Sequence, residues 1–144
     1  MTNEEINNNE RHLYERAEDM TAEVNSLMAD VYAWDKRRSQ FYGSGAWTKS
    51  SKITRERDHE IDVWHWIKTG EIVYNGCMVH HIEPIADNWD RRLDLDNLIS
   101  ISYSSHGEID RIYAQGPEHK KRAQELMFRA VRELEYLANI EDDI

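Results

Sequence analysis

Histidines, carboxylates and an asparagine crowd one stretch of the chain, residues 79–110, which reads VHHIEPIADNWDRRLDLDNLISISYSSHGEID. His80 and His81 sit at the end of a short apolar run, Asn97 follows in LDLDNL, and His106 precedes Asp110 by four residues. Side chains of these types ligate divalent ions. On a helix, positions i and i+4 share a face, so His106 and Asp110 can reach one ion. Taken alone, that spacing is commoner on ordinary surfaces. Neighbours on a strand face opposite sides, so one of His80 and His81 can bind an ion while the other addresses a substrate. Such a division of labour suits phosphodiester hydrolysis. The ion polarises the phosphate, and a neutral imidazole takes a proton from water near pH 7. Asn97, in a tight loop, can orient the base through a hydrogen bond.

The elements that must position these groups are read from periodicity. Leu13, Ala17, Met20, Val24, Leu27, Val31 and Trp34 alternate in steps of four and three, which predicts a helix from residue 4 to about 36 with a heptad seam. Thr2 or Asn3 is placed to cap it. The Phe41-Tyr42-Gly43-Ser44-Gly45 segment breaks that helix, and a short helix follows from Trp47 to Arg57. The run at 72–79 predicts a strand, and Ser104 or Ser105 can cap a helix ending near Tyr113. Pro117 opens a last helix, in which Ala123, Met127, Ala130, Leu134 and Leu137 repeat the heptad steps. Residues 141–144, EDDI, read as a solvated tail. The domain reading is a helical arm at 1–40, a core at 41–116, and a C-terminal helix with an acidic tail at 117–144.

Composition narrows the class. The chain has 144 residues, 40% of them hydrophobic and 32% charged, as expected of one globular domain. No apolar run approaches membrane-spanning length and the start, MTNEEINNNE, has no signal-peptide features, so a cytoplasmic protein with no membrane partner is expected. One cysteine, Cys77, excludes an internal disulfide and a multi-cysteine metal cage. The formal charge of −10 argues against tight nonspecific binding to nucleic acid. Local basic stripes remain, and Arg55, Arg57, Arg91 and Arg92 are the candidates for contact with a phosphate.

The order Val79-His80-His81-Ile82, Pro84, Leu93-Asp94-Leu95-Asp96-Asn97-Leu98 and His106 resembles the HNH endonuclease family, especially its small phage-encoded members. Phe41-Tyr42, Ala46-Trp47 and Arg57-Asp58 resemble the lead-in of those proteins. The resemblance covers residues 41 to 112. It implies an α+β chain, a small ββα-metal core flanked by long amphipathic helices, and a metal-dependent endonuclease that hydrolyses DNA. By position, His81 would be the general base, Asn97 the middle residue of the motif, and His80, His106 and Asp110 the metal ligands. Mg²⁺ or Mn²⁺ is the expected ion, with Ni²⁺ or Zn²⁺ as alternatives, and a phage-encoded protein would work in the host cytoplasm. Many relatives also hold a structural zinc with two Cys-x-x-Cys pairs. The corresponding positions here are Asp62 and His65, then Ser102 and Ser105, so no structural zinc is expected.

Two other partners fit the pattern. The heptad helices suit a homodimer. The acidic surface and absent zinc cysteines suit a non-catalytic inhibitor or regulator on the same fold, binding a host protein such as a nuclease or defence complex.

Overall fold

The computed structural model describes residues 1–142, with side chains through residue 139; the 141–144 tail expected to be solvated lies beyond the described side chains. The chain divides into two compact units, Met1–Gly43 and Ser44–Ile144.

The first unit is a single helix, α1 (Asn3–Tyr42), which extends about six residues beyond the expected end. Thr2 and Glu5 form a reciprocal capping box: the Glu5 amide donates to Thr2 Oγ1 at 3.1 Å and the Thr2 amide to Glu5 Oε2 at 2.7 Å. Residues 37–42 contain no glycine or proline, so the helix continues to Tyr42 and ends at the Gly43 cap.

The second unit is α+β. Helices α2 (Gly45–Arg57) and α3 (Val63–Thr69) lead to strand β1 (Met78–His81), which pairs antiparallel with β2 (Leu98–Ile101). Helices α4 (Tyr103–Tyr113) and α5 (Pro117–Asp142) complete it, and two 3₁₀ turns, Trp89–Arg91 and Leu95–Asn97, lie in the connection between the strands. The register sets Met78 opposite Ile101, Val79 opposite Ser100, His80 opposite Ile99 and His81 opposite Leu98.

Val63, Trp64, Ile82, Ile99, Ile101, Ile109 and Met127 form the centre of the core, closed by Ala123, Ala130 and Val131 of α5. Each large side chain buried there contributes about 1.5–3 kcal/mol. The apolar stripe of α5 is therefore used inside its own unit, against α3 and α4. Leu137, expected to belong to that stripe, is half exposed, as is Leu126.

The strand expected at 72–79 is a correction: only Met78 to His81 forms regular ladder pairs. Ile72, Val73 and Tyr74 stay exposed, and the segment is held by isolated bonds, Asp62 N–H to Val73 O at 2.9 Å and Gly76 N–H to Glu60 O at 2.8 Å. A Cβ on Gly76 would fall 2.4 Å from Ile61 O, so only glycine permits this approach.

Asp58, fully buried, ties α2 to the sheet. Its carboxylate accepts from Arg57 Nε at 2.7 Å and Nη2 at 3.2 Å and from the Ser100 amide at 2.8 Å. At the far edge of the unit, Glu135 of α5 hydrogen-bonds Asp96, and that bond, followed by burial and the Asp96 charge, raises the Glu135 pKa to about 6. A raised carboxyl pKa stabilises the fold at low pH, and the contribution is lost as pH rises through the folded value. Glu135→Gln is expected to raise the melting temperature at pH 8 by about 1–2 °C, a small shift because the pair is part-exposed. The gain should disappear near pH 5, and an equal gain at both values would reject the shared-proton pair.

Candidate functional site

The end of β1 carries two histidines on opposite faces, and different elements receive each. His81 lies against α2, where the Trp47 indole stacks on its ring with centroids 4.8 Å apart and planes 20° from parallel. Its Nε2 is 2.9 Å from the Arg92 carbonyl oxygen. A carbonyl only accepts, so this bond requires the proton on Nε2 and leaves the basic lone pair on Nδ1. Burial lowers the His81 pKa, partly offset by the Arg92 bond, and the imidazole is neutral at pH 7.

His80 points the other way, toward α4. It is 7% exposed, with its ring centroid 5.7 Å from that of His106 and 5.9 Å from that of Tyr113. Burial, then the neighbouring His106 and His81, pushes its pKa down to about 3. A neutral imidazole keeps the lone pair that a metal needs. Tyr113 donates its hydroxyl proton to Ile82 O at 2.7 Å, so toward His80 Nε2, 3.5 Å away, it can only accept, and weakly.

Asn97 holds the backbone on which both histidines sit. Fully buried, it accepts from the Glu83 amide at 2.8 Å through Oδ1 and donates through Nδ2 to Glu83 O at 3.0 Å and Arg91 O at 3.3 Å. Its own carbonyl accepts from the Ile82 amide at 2.9 Å. Tyr113 from α4 and Gln124 from α5 both donate to Ile82 O, which clamps the chain just past His81. Asn97 is thus linked to His81 through the loop backbone and not by the direct hydrogen bond expected, since Arg91 O, which it holds, immediately precedes Arg92, whose carbonyl accepts from His81.

His106 and Asp110 face each other one turn apart on α4, Nδ1 to Oδ2 3.4 Å. Ser102, rather than Ser104 or Ser105, caps this helix through its side chain. Two facing imidazoles with an adjoining carboxylate are a donor set that suits a divalent ion. Among the described residues, however, no three His, Cys, Asp or Glu side chains are gathered to hold a metal. The imidazole pair is formed, and Asp110 stands beside His106 only.

The four arginines have different surroundings. Arg57, besides binding Asp58, donates to Leu95 O at 2.7 Å and Leu98 O at 2.6 Å, a structural engagement that the sequence did not reveal. Arg91 bridges Glu83 and Asp94, and Arg92 lies over Trp89 and donates to its carbonyl. Arg55 has a buried Nε with no hydrogen-bond partner.

The positions aligned with zinc ligands occupy the N-termini of two helices. Asp62 and His65 are the N-cap and third residue of α3, and Ser102 and Ser105 hold the same places on α4. The helices are joined directly, by Ser105 Oγ–H donating to Asp62 Oδ2 at 2.7 Å in a buried site. Each cap also accepts from its own helix, Asp62 from the His65 amide and Ser102 from the Ser105 amide. His65 Nε2 approaches only Glu71, at 3.8 Å. A hydrogen-bonded staple between two helix caps thus joins these four positions.

Trp47, Tyr113 and Gln124 are the participants that sequence reasoning did not assign to the site. Trp47 enters the sequence reading only as the start of a helix and a lead-in residue, and the fold brings it onto His81.

An antiparallel ribbon closed by a helix, with histidines on the strand end and the helix, defines a small ββα core of HNH type. The chain is similar to the HNH endonuclease of the deep-sea thermophilic bacteriophage GVE2, whose crystal structure contains a manganese ion. The two share 28% sequence identity at a TM-score of 0.52, over 60% of this chain and 96% of that one. No family model matches the chain, and no curated protein does. No helix among the described residues is long and apolar enough to cross a membrane.

Proposed function

We propose that the chain is a divalent-metal-dependent endonuclease that hydrolyses DNA phosphodiester bonds. The observation that carries this is the division of labour at the end of β1. His81, only 6% exposed, keeps a neutral imidazole with its basic lone pair on Nδ1, and His80 faces His106 on the other side of the same strand. The manganese-containing phage nuclease of similar fold supports both the reaction class and the use of a divalent ion.

His81 Nδ1 takes a proton from water, and the oxygen of that water attacks phosphorus as the bond to the departing sugar oxygen breaks. The Arg92 carbonyl holds the ring orientation and favours the imidazolium once it forms. His80 and His106 would hold the ion, with Asp110 as a further oxygen donor. When bound, it would neutralise charge on the phosphate and on the departing oxygen. Of the four arginines, Arg55 is the one whose Nε lacks a partner, and phosphate contact is assigned to it on that ground.

Purified protein should nick supercoiled plasmid in Mn²⁺ or Mg²⁺ and lose that activity with a chelator. His106→Ala should weaken Mn²⁺ binding at least tenfold by calorimetry, in line with the loss of one ligand. Unchanged affinity would exclude His106 as a ligand.

A second reading is favoured by the −10 charge and by the lack of a three-ligand cluster among the described residues. On that reading the core is a non-catalytic acidic module that occupies the DNA-binding cleft of a host protein. Folded protein inactive with Mg²⁺, Mn²⁺ and Ni²⁺ would favour it.

A further inference from the structure

Charge is shared unevenly among the helices. In a chain of net charge −10, α2 carries Lys49, Lys52, Arg55 and Arg57 against one acid, Glu56, whereas α1, α4 and α5 each carry more acid than base. Arg57 is taken up by buried Asp58. Lys52 and Arg55 are not committed in that way. Lys52 lies 3.9 Å from Glu56 with both side chains largely exposed, a pair worth little that a phosphate can displace. Arg55 has a buried Nε without a partner.

Thr48, Lys52 and Arg55, at i, i+4 and i+7, share one flank of α2, next to the face on which Trp47 stacks against His81. Arg55 follows Trp47 by eight residues, about 12 Å along the axis, which is the rise of roughly three to four nucleotides of a strand. There it lines a cleft of about 240 Å³ with Glu60 and Tyr74–Cys77, the segment that leads into β1. The flank thus starts beside the candidate base and ends in a cleft. Thr, Lys, Arg, Tyr and Asn side chains all donate to phosphate oxygens, and Thr48, Lys52, Arg55, Tyr74 and Asn75 supply them along this path. Glu60 is the one acid among the residues that line the cleft.

We propose that this flank of α2 docks the backbone of one DNA strand, with Arg55 at the far end of the contact and Lys52 between it and the bond that faces His81. The proposal rests on the nuclease reading above. It adds the path of the strand, and it explains how an acidic chain accepts DNA: the approach is confined to its most basic helix.

The test measures binding apart from cleavage, in the full chain with a chelator present, by the fluorescence anisotropy of a labelled DNA duplex across a salt series. Each phosphate contact contributes about 0.9 to the slope of log affinity against log salt concentration. Lys52→Ala and Arg55→Ala should each lower the slope by about that amount, and Lys52→Arg should keep it. Glu60→Gln should tighten binding by removing a carboxylate from the cleft. Lys121→Ala, on α5 where the charges nearly cancel, should leave the slope unchanged. The Lys52 side chain is 71% exposed, so its replacement reads the contact even if Arg55→Ala disturbs the fold. No binding by the wild-type protein at low salt, a wild-type slope in Lys52→Ala, or an equal drop in Lys121→Ala would overturn the proposal. Lowered slopes in a protein that does not cleave with Mn²⁺ would keep the track and remove the nuclease reading; cleavage with slopes indifferent to Lys52 and Arg55 would do the reverse.

Discussion

His81→Ala should reduce plasmid cleavage by roughly 10²–10⁴-fold, the range that a positioned general base contributes. The reasoning is atomic. The Arg92 carbonyl fixes the proton on Nε2, so Nδ1 is the nitrogen able to take a proton from water, and no other group need supply that lone pair. Alanine also removes the ring that stacks on Trp47, so lost packing must be separated from lost chemistry. His81→Gln does so, because its side-chain amide can still donate to Arg92 O but carries no basic nitrogen. Both variants should lose cleavage, keep a cooperative melt and retain Mn²⁺ affinity, since the His80–His106 pair lies on the opposite face of the strand. Cleavage by His81→Gln at the wild-type rate would remove His81 from the mechanism. Loss of Mn²⁺ binding in both variants would instead make His81 part of the metal site.

The site was legible in sequence wherever a local rule fixes direction. Adjacent residues on a strand diverge, which is enough to separate the surroundings of His80 and His81, and i,i+4 spacing puts His106 beside Asp110. The start of α5 at Pro117 followed from a similarly local rule. Strand extent was not local. Ile72 to Tyr74 has the composition of a strand, yet regular pairing needs β2 opposite, and β2 reaches only Met78. Arg57 shows the same limit. As a cationic side chain in a basic stripe it suggests phosphate, but its guanidinium is engaged by Asp58 and by carbonyls some forty residues away in the chain. The cap of α4 fell to Ser102 because β2 ends at Ile101 and leaves Ser102 in extended geometry just where the helix begins. The seam of α1 was visible as a pattern, and Leu13, Met20, Val24, Leu27 and Val31 of it are exposed.

Asn97 should prove the most sensitive side chain to small chemical change. Asn97→Ala leaves the Glu83 amide, the Glu83 carbonyl and the Arg91 carbonyl without their partners in a fully buried loop, a loss of about 2–4 kcal/mol. Cleavage should fall with it, through misplacement of the Arg92 carbonyl that orients His81. Asn97→Asp distinguishes a hydrogen-bonding role from mere volume. The new carboxylate can still accept from the Glu83 amide, but its second oxygen, when ionised, faces carbonyl oxygens that offer no proton. Burial and those dipoles raise its pKa. A group with a raised folded pKa contributes stability below its unfolded value and loses it as pH rises through the folded value. Asn97→Asp should therefore melt close to wild type near pH 4.5, where the acid can donate to Glu83 O, and well below it at pH 8. The deficit of Asn97→Ala should be nearly the same at both. Thermal melts of the three proteins at the two pH values decide it. If Asn97→Asp showed no greater deficit at pH 8 than at pH 4.5, the two carbonyls would not be receiving the Asn97 amide protons. The loop that positions His81 would then have to be held by Tyr113 and Gln124 alone.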